Sequence, residues 1–465
     1  MHIHILGICG TFMGGIAAIA KAMGHQVTGS DANVYPPMST QLTELGIDLI
    51  EGFAADQLDS KPDLVIIGNA MSRGNPCVER VLNEGIRYVS GPQWLGENFL
   101  RQKWVLAVSG THGKTTTASM LAWVLEFAGF KPGFLIGGVP ENFGISARMG
   151  ESDFFVIEAD EYDSAFFDKR SKFVHYHPNT LVINNIEFDH ADIFRDLEAI
   201  KTQFNHVIRT VPETGQLVVP SADDNVTDVL QRGCWSSIQQ FAMSGEGESQ
   251  MDQSDAWRSE LINPDGSSFA VYFNSEKVAE VEWSLLGNHN VKNALAVFAA
   301  ARSVGILADV VADALASFKN VKRRMETKGQ VAGVTIYDDF AHHPTAIQLT
   351  LEGIRSRIGE QPLIAVLEPR SNTMKMGVHN QKLEASTRSA DRCYWYQSDA
   401  TDKALEQIFS TSAHHTVSHS IDDMVAQIVA NAKPGTHILC MSNGSFGGIH
   451  QKLLDQLSKT DGSDV

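Results

Sequence analysis

Val108-Ser109-Gly110-Thr111-His112-Gly113-Lys114-Thr115-Thr116-Thr117 is the stretch whose reading decides the fold. The apolar run Trp104–Val108 precedes it, and Ala118, Leu121, Ala122 and Leu125 follow at helical spacing, so it reads as strand, loop and helix. That is the setting of a phosphate-binding loop. Glycines let successive backbone N–H groups turn inward and the helix N-terminus adds its positive end. Lys114 then reaches the outer phosphates and a Thr hydroxyl ligates Mg²⁺. The common G-x-x-x-x-G-K-[ST] spacing would need a glycine where Val108 stands. A loose match alone also reads as a glycine-rich turn with a solvated lysine, but the flanking strand and helix favour the phosphate loop.

Downstream, Phe154–Ile157 predicts a strand that delivers Glu158-Ala159-Asp160-Glu161-Tyr162-Asp163-Ser164 at its C-terminal end. Hard cations take oxygen ligands, so Glu158, facing the phosphate loop, is the expected Mg²⁺ ligand. Asp160, Glu161 and Asp163 read as an exposed acidic loop. Leu181-Val182-Ile183 leads to Asn184-Asn185-Ile186-Glu187-Phe188-Asp189-His190, where His190 reads equally as a metal ligand, a phosphate contact or a capped loop histidine. Two further strand-like runs, Ser268–Phe273 and Val278–Leu286, precede Gly287 and an Ala-rich helix. Asn290 and Asn293 lie one turn apart at its start, so their amides can meet a planar ligand such as adenine or cap the helix. Phe241–Ser254 reads as a polar surface loop. Phe318–Glu326 carries Lys319, Lys322, Arg323 and Arg324, a basic patch that suits either a phosphate at a domain junction or a solvated helix end.

Upstream, the strand-like His2–Leu6 turns through Gly7-Ile8-Cys9-Gly10-Thr11-Phe12-Met13-Gly14-Gly15 into a helix. Its glycine spacing suits a nucleotide diphosphate and departs from the G-x-G-x-x-G of dinucleotide sites. Asp31, ending the next strand, reads equally as a sugar-hydroxyl acceptor or a turn aspartate. Another strand ends in the Asn69-Ala70 loop. After the basic patch the chain alternates strand and helix again. Polar loops end three strands: Asp338-Asp339-Phe340-Ala341-His342-His343-Pro344, Glu368-Pro369-Arg370-Ser371-Asn372-Thr373-Met374-Lys375, and Ser442-Asn443-Gly444-Ser445. In doubly wound α/β sheets such strand ends form the ligand-binding face. The last residues, Asp461–Val465, are expected to fray.

A chain of 465 residues predicts about three domains. Its net charge of −18 argues against nucleic acid and anionic membranes as partners. Five scattered cysteines, without C-x-x-C, fit a reducing cytosol, and no apolar run reaches membrane-spanning length, so a cytoplasmic location is expected. The sequence does not indicate an oligomeric state.

Taken in order, the short-spaced loop 110–116, Glu158, Asp189-His190, Gly287–Asn293, Arg324 and Asp338-Asp339 resemble the Mur ligases, ATP-dependent enzymes that attach amino acids to UDP-N-acetylmuramate. The N-terminal glycine turn and Asp-Asp-Phe-Ala-His-His-Pro are similar to the L-alanine-adding branch. His4–Gly15, Gly29–Met38, Glu368–Gly377 and Met441–His450 look more narrowly like the branch that recycles the murein tripeptide L-alanyl-γ-D-glutamyl-meso-diaminopimelate.

The resemblance implies an α/β fold of three domains. These are a Rossmann-like UDP-sugar domain over 1–103, a central P-loop type mononucleotide-binding domain over 104–326, and a Rossmann-like doubly wound sheet over 327–465. It implies an ATP-dependent ligase working through an acyl phosphate, with tripeptide as acceptor or, alternatively, free L-alanine. Its catalytic residues would be Lys114, Glu158 and His190. ATP would contact Gly110, Thr111, His112, Gly113, Lys114, Thr115, Thr116, Asn290, Asn293, Arg324, Asp339, His342 and His343, and Mg²⁺ would contact Thr115, Glu158 and His190. UDP-N-acetylmuramate would sit on Gly10, Thr11, Met13, Gly14, Asp31, Asn69 and Ala70. The resemblance does not place the peptide; the polar strand ends do, with Arg370 expected to pair with a peptide carboxylate through its bidentate geometry and Ser371, Asn372, Ser442 and Asn443 beside it. Some relatives hold the second metal through a carbamylated lysine, for which Lys201 is the nearest candidate here.

Overall fold

The computed structural model describes residues 1–35, 38–246, 255–399, 401 and 403–461. Pro36 and Pro37 of the recycling-like run 29–38 and most of the tail expected to fray lie outside the described residues, as does 247–254 of the expected surface loop. The start of that loop is not exposed: Phe241, Ala242 and Met243 belong to the strand Ser237–Met243 and are buried.

Three sheets organise the chain. The first has five parallel strands in the order Asp48–Glu51, Gln26–Asp31, His2–Leu6, Leu64–Ile67, Tyr88–Ser90. Alternate residues supply both faces: Ile3 and Ile5 pack into one core cluster, and Leu6, Val65 and Ile67 into another. Sequential order reverses around His2–Leu6, which puts the Gly7–Gly10 turn at the switch point where such sheets open a crevice.

The central sheet has ten strands, and Trp104–Ser109 lies between Thr180–Ile183 and Phe154–Glu158, parallel to both. This pairing brings the phosphate loop, the acidic loop and the Asn184-to-Asp192 loop to one edge. Leu121, Ala122 and Leu125 of the helix Lys114–Phe127 share a core with Ala294, Val297 and Ala301 of the helix Asn288–Arg302. Small side chains on the second helix permit that close approach.

The third sheet runs Glu326–Val331, Val334–Asp339, His437–Met441, Leu363–Leu367, Arg392–Tyr396, His415–Ser418, with only the first pair antiparallel. The three strands expected to end in polar loops are therefore neighbours. The basic patch is not a helix end. It is a loop after the helix Ala308–Ala316, with Asn320, Arg323 and Met325 at positive φ of 74°, 63° and 49°.

The seams differ in chemistry. The first and central units share an apolar cluster, including an edge-on Phe99–Phe155 pair with centroids 5.2 Å apart. The central and third units meet through polar contacts: Thr345 Oγ1 donates to Glu187 at 2.7 Å, Asn372 Nδ2 to Asp192 at 2.8 Å, and Arg357 pairs with Asp265 at 2.7 Å. Among the described residues no helix is long and apolar enough to cross a membrane.

Candidate functional site

A cleft of about 1270 Å³ opens between the central and third units. Of the nucleotide residues expected from sequence, Thr111 to Thr116, Asn290, Asn293, Arg324, Asp339, His342 and His343 line it, together with Glu158 and His190. Arg370, Ser371, Asn372 and Asn443 lie on its far wall. Gly110 and Ser442 are not in that lining, although Ser442 stands next to Asn443.

The phosphate loop is held open by two amides that sequence reading passed over. Asn185 Oδ1 accepts the His112 N–H at 2.8 Å, and Asn184 Nδ2 donates to Thr117 Oγ1 at 3.0 Å. They follow directly on the strand Thr180–Ile183, so parallel pairing to Trp104–Ser109 delivers them to the loop. Gly113 has φ of 81°, and a Cβ there would stand 2.6 Å from Asn293 Oδ1, so only glycine fits. Asn293 is thereby placed against the loop. Asn290 donates to the Leu286 carbonyl at 2.7 Å, which turns its amide along its own helix start.

Lys114 is enclosed, its Nζ 2.8 Å from Glu161 Oε2 and 3.7 Å from Asp160 Oδ1. Burial opposes its charge, but Glu161, Asp160 and Glu158 together raise its pKa above the ordinary lysine value. Glu161 corrects the sequence reading. It was expected in an exposed acidic loop, yet it is only 2 % exposed and also binds His190 Nε2 at 3.1 Å. The hairpin Asp163–Ala165 with Asp168–Ser171 folds the chain back and buries it. Burial alone would depress His190, but the Glu161 hydrogen bond and the nearby carboxylates raise its pKa, favouring the imidazolium.

Thr115 Oγ1 donates to Glu158 Oε1 at 2.9 Å, and Gly137 N–H to Oε2 at 2.7 Å. Burial raises the Glu158 pKa, against the pull of Lys114 and these donors. Such a carboxylate is short of positive charge, and hard oxygen donors on Thr115 and Glu158 suit Mg²⁺. Asp160, Glu161 and His190 make a second group with donor atoms within 4.8 Å of one another. Lys201, the nearest candidate for a carbamylated lysine, pairs with Asp228 at 3.1 Å and is not among the residues lining the cleft. Lys172, unremarked in sequence, pairs with Asp160 at 2.9 Å and lies 5.4 Å from the centre of the Phe12 ring, linking the acidic loop to the N-terminal glycine turn.

On the opposite wall, buried Asp339 accepts the Met325 and Ala341 N–H groups, each at 2.8 Å. The Arg324 backbone is held by Val321 and Asn320, but its guanidinium makes no hydrogen bond or ion pair among the described residues and stacks 5.0 Å from the Phe340 ring centre. Its neighbour Arg323 is consumed structurally, donating to the Ser442 and Gly444 carbonyls at 2.7 and 2.6 Å. His342 binds the Phe340 carbonyl at 2.9 Å. His343 caps the helix Pro344–Ile358, packs its ring against His112 and His379, and is held by burial to a pKa of about 4.

The N-terminal candidates stand apart from this cleft. Gly10 caps the helix Thr11–Ala22, Met13 and Gly14 are buried in it, and Asn69 and Ala70 are exposed after Leu64–Ile67. Asp31 accepts the Cys9 N–H at 2.9 Å and the Asn33 N–H at 3.0 Å, so it pins the glycine turn.

Family profiles match almost all of the chain. They are described as Mur ligase family, catalytic domain, over residues 2–103; Mur ligase middle domain, over 108–301; and Mur ligase, glutamate ligase domain, over 323–444. The UDP-N-acetylmuramate–L-alanyl-γ-D-glutamyl-meso-2,6-diaminoheptandioate ligase of Escherichia coli strain K12 is 55 % identical, over 99 % of both chains. A crystal structure of a murein peptide ligase from Psychrobacter arcticus is 47 % identical, covers 98 % of this chain and 99 % of its own, and has a TM-score of 0.77. The UDP-N-acetylmuramate-alanine ligase of Thermotoga maritima shares the fold, at 22 % identity, a TM-score of 0.80 and coverage of 99 % of this chain and 100 % of its own.

Proposed function

The chain belongs to the Mur ligase family, and on that premise we propose that it joins L-alanyl-γ-D-glutamyl-meso-diaminopimelate to UDP-N-acetylmuramate in an ATP-dependent reaction of murein recycling. The observation that carries this reading is the 55 % identity to a ligase of that specificity from end to end. Relatives of the L-alanine branch are nearer 30 % over the same length, so the acceptor is the tripeptide rather than free alanine.

The reaction runs in two balanced steps. A lactoyl carboxylate oxygen of UDP-N-acetylmuramate attacks the γ-phosphorus of ATP, releasing ADP and leaving an acyl phosphate. The neutral α-amine of the tripeptide then attacks the acyl carbon, its nitrogen gives up one proton, and phosphate departs as the amide forms. Both steps gather negative charge, so positioned cations and donors contribute most of the acceleration. Lys114 and the loop N–H groups take the outer phosphates. Before the nucleotide arrives, Glu161 and Asp160 neutralise this lysine, and phosphate oxygens compete with them for it.

Thr115 and Glu158 would hold one Mg²⁺. Glu161 and Asp160, with His190 once an arriving ion has displaced its proton, would hold a second. When bound, these ions neutralise phosphoryl charge and orient the oxygens. Asn290 and Asn293 serve the adenine, Asp339 the ribose and Arg324 a phosphate, with His342 and His343 near the phosphates. Arg324 is suited to that role because its guanidinium forms no ion pair among the described residues and feels the Asp339 charge only from beyond ion-pair distance. The sugar nucleotide lies on Gly10, Thr11, Met13, Gly14, Asp31 and the Asn69-Ala70 loop, and Lys172 closes the gap to the acidic loop. Arg370, exposed and without an ion pair among the described residues, meets a peptide carboxylate beside Ser371, Asn372, Ser442 and Asn443.

The test is to incubate the protein with ATP, Mg²⁺ and UDP-N-acetylmuramate, add tripeptide or L-alanine separately, and weigh the UDP-linked product. The tripeptide adduct should form much faster than the alanine adduct. Product with alanine alone would overturn the acceptor, and no amide with either would overturn the ligase reading.

A further inference from the structure

The loop assigned to the peptide also holds the backbone of the loop that carries His190. His190 adopts φ of 54°, a left-handed conformation that a residue with a Cβ rarely takes. Two contacts from the third unit meet the residues just after it. Thr373 Oγ1 accepts the Ala191 N–H at 3.1 Å, and Asn372 Nδ2 donates to Asp192 Oδ2 at 2.8 Å. On its own unit, Asp189 Oδ1 accepts the His190 N–H at 2.7 Å, and the His190 carbonyl accepts from Ile193 and Phe194 at 3.0 and 2.9 Å. The left-handed residue is thus fixed from both sides, which holds its ring 4.2 Å from that of Tyr162 and its Nε2 on Glu161.

Thr373 is 2 % exposed yet lines the cleft, and Ser371 Oγ, accepting from Met374 N–H at 3.3 Å, stiffens the turn that presents it. Its methyl group needs only apolar company, so the hydroxyl is the part with a specific partner.

We infer that Thr373 is a positioning residue: by anchoring the Ala191 amide it sets the His190 backbone, so that the phosphoryl site is complete only when the peptide-bearing loop is docked. This rests on the reading that residues 370–372 meet the acceptor. The chemical gain is selectivity between two fates of the acyl phosphate. Attack by the amine gives amide and phosphate, whereas attack by water returns the carboxylate and phosphate and wastes ATP. A site assembled by the acceptor's own loop forms the acyl phosphate where the amine is at hand.

The experiment compares Thr373→Val, Thr373→Ser and wild type in steady-state assays with ATP, UDP-N-acetylmuramate and tripeptide. Valine keeps the shape and removes the acceptor oxygen. It should lower kcat roughly 10- to 100-fold, as loss of alignment does, with KM for ATP and for the sugar nucleotide within about twofold of wild type. Serine should restore kcat. Asp192→Ala, which removes the acceptor of Asn372 Nδ2 from the His190 loop without touching the residues assigned to the peptide, should reproduce the kcat defect independently. Unchanged kcat in Thr373→Val, a change confined to the tripeptide KM, or no rescue by serine would overturn the inference. A wild-type protein inactive with tripeptide would overturn the functional reading, and this inference with it. An active wild type matched by Thr373→Val would overturn this inference alone.

Discussion

Removing the cation at the centre of the phosphate loop tests the site's electrostatics before any substrate is added. Lys114 is 12 % exposed and Glu161 2 %, 2.8 Å apart. Removing one partner of a buried pair costs about 3–5 kcal/mol, because the other is left as an uncompensated buried charge. His190 stays 3.1 Å from Glu161, and Asp160 3.7 Å from Lys114, so each single variant should fall near the lower figure. In a domain of roughly 150–250 residues each kcal/mol moves the melting midpoint by about 2–4 °C, which makes about 6–12 °C for Lys114→Met and for Glu161→Gln. The double variant removes both charges and should melt well above the sum of the two losses, with a coupling of about 2–3 kcal/mol. Differential scanning calorimetry of the four proteins, following the transition that contains the central unit, reads this directly. Additive losses, or single variants that melt with the wild type, would refute the pairing and the assignment of Glu161 as the resting partner of Lys114. Lys114→Met should also lose turnover by about 10²–10³-fold or more while binding of UDP-N-acetylmuramate persists.

Other consequences are independent of that pair. Glu158→Gln should keep the fold, lower kcat about 100-fold or more and raise the Mg²⁺ concentration needed for half-maximal rate, since an amide is a poorer ligand than a carboxylate; an unchanged Mg²⁺ titration would remove Glu158 from the metal site. Arg370→Ala should raise the tripeptide KM about 10- to 100-fold, the worth of a charged hydrogen bond, and leave the ATP KM alone; an unchanged tripeptide KM would dismiss Arg370. His343 titrates near 4 in the fold against 6.5 when free. Between those values the unfolded chain binds the extra proton, so this residue makes stability rise with pH from about 4 to 6.5 and adds nothing further above, a span of about 3 kcal/mol. His4 and His289, also buried to about 4, act with the same sign. His343→Asn keeps an acceptor for the helix start and should flatten the acid limb of melting midpoint against pH; an unchanged limb would show that His343 is not held neutral.

The strand, loop and helix around Lys114 were legible because local rules suffice there: an apolar run, glycines at the turn and helical spacing after it. The same holds for the three polar strand ends of the third unit, which adjacent parallel pairing gathers on one face. What stayed hidden depends on distant chain. Glu161 looks like one of several loop acids until a hairpin at 163–171 folds over it. Asn184 and Asn185 gain meaning only from the neighbouring strand, and Lys172 from an aromatic ring 160 positions earlier at Phe12. Charge and spacing do not separate Arg323 from Arg324, and only the family resemblance singled out Arg324; a left-handed turn at Arg323 sends it to the Ser442 and Gly444 carbonyls and leaves its neighbour in the cleft. Lys201 had only proximity in sequence, and its partner is Asp228.

The central claim is that carboxylate oxygen leaves with phosphate, the mark of an acyl phosphate taken by an amine. UDP-N-acetylmuramate labelled with ¹⁸O in the lactoyl carboxylate, turned over with ATP and tripeptide, should release phosphate carrying one ¹⁸O for each amide formed. Unlabelled phosphate accompanying the amide product would contradict the account.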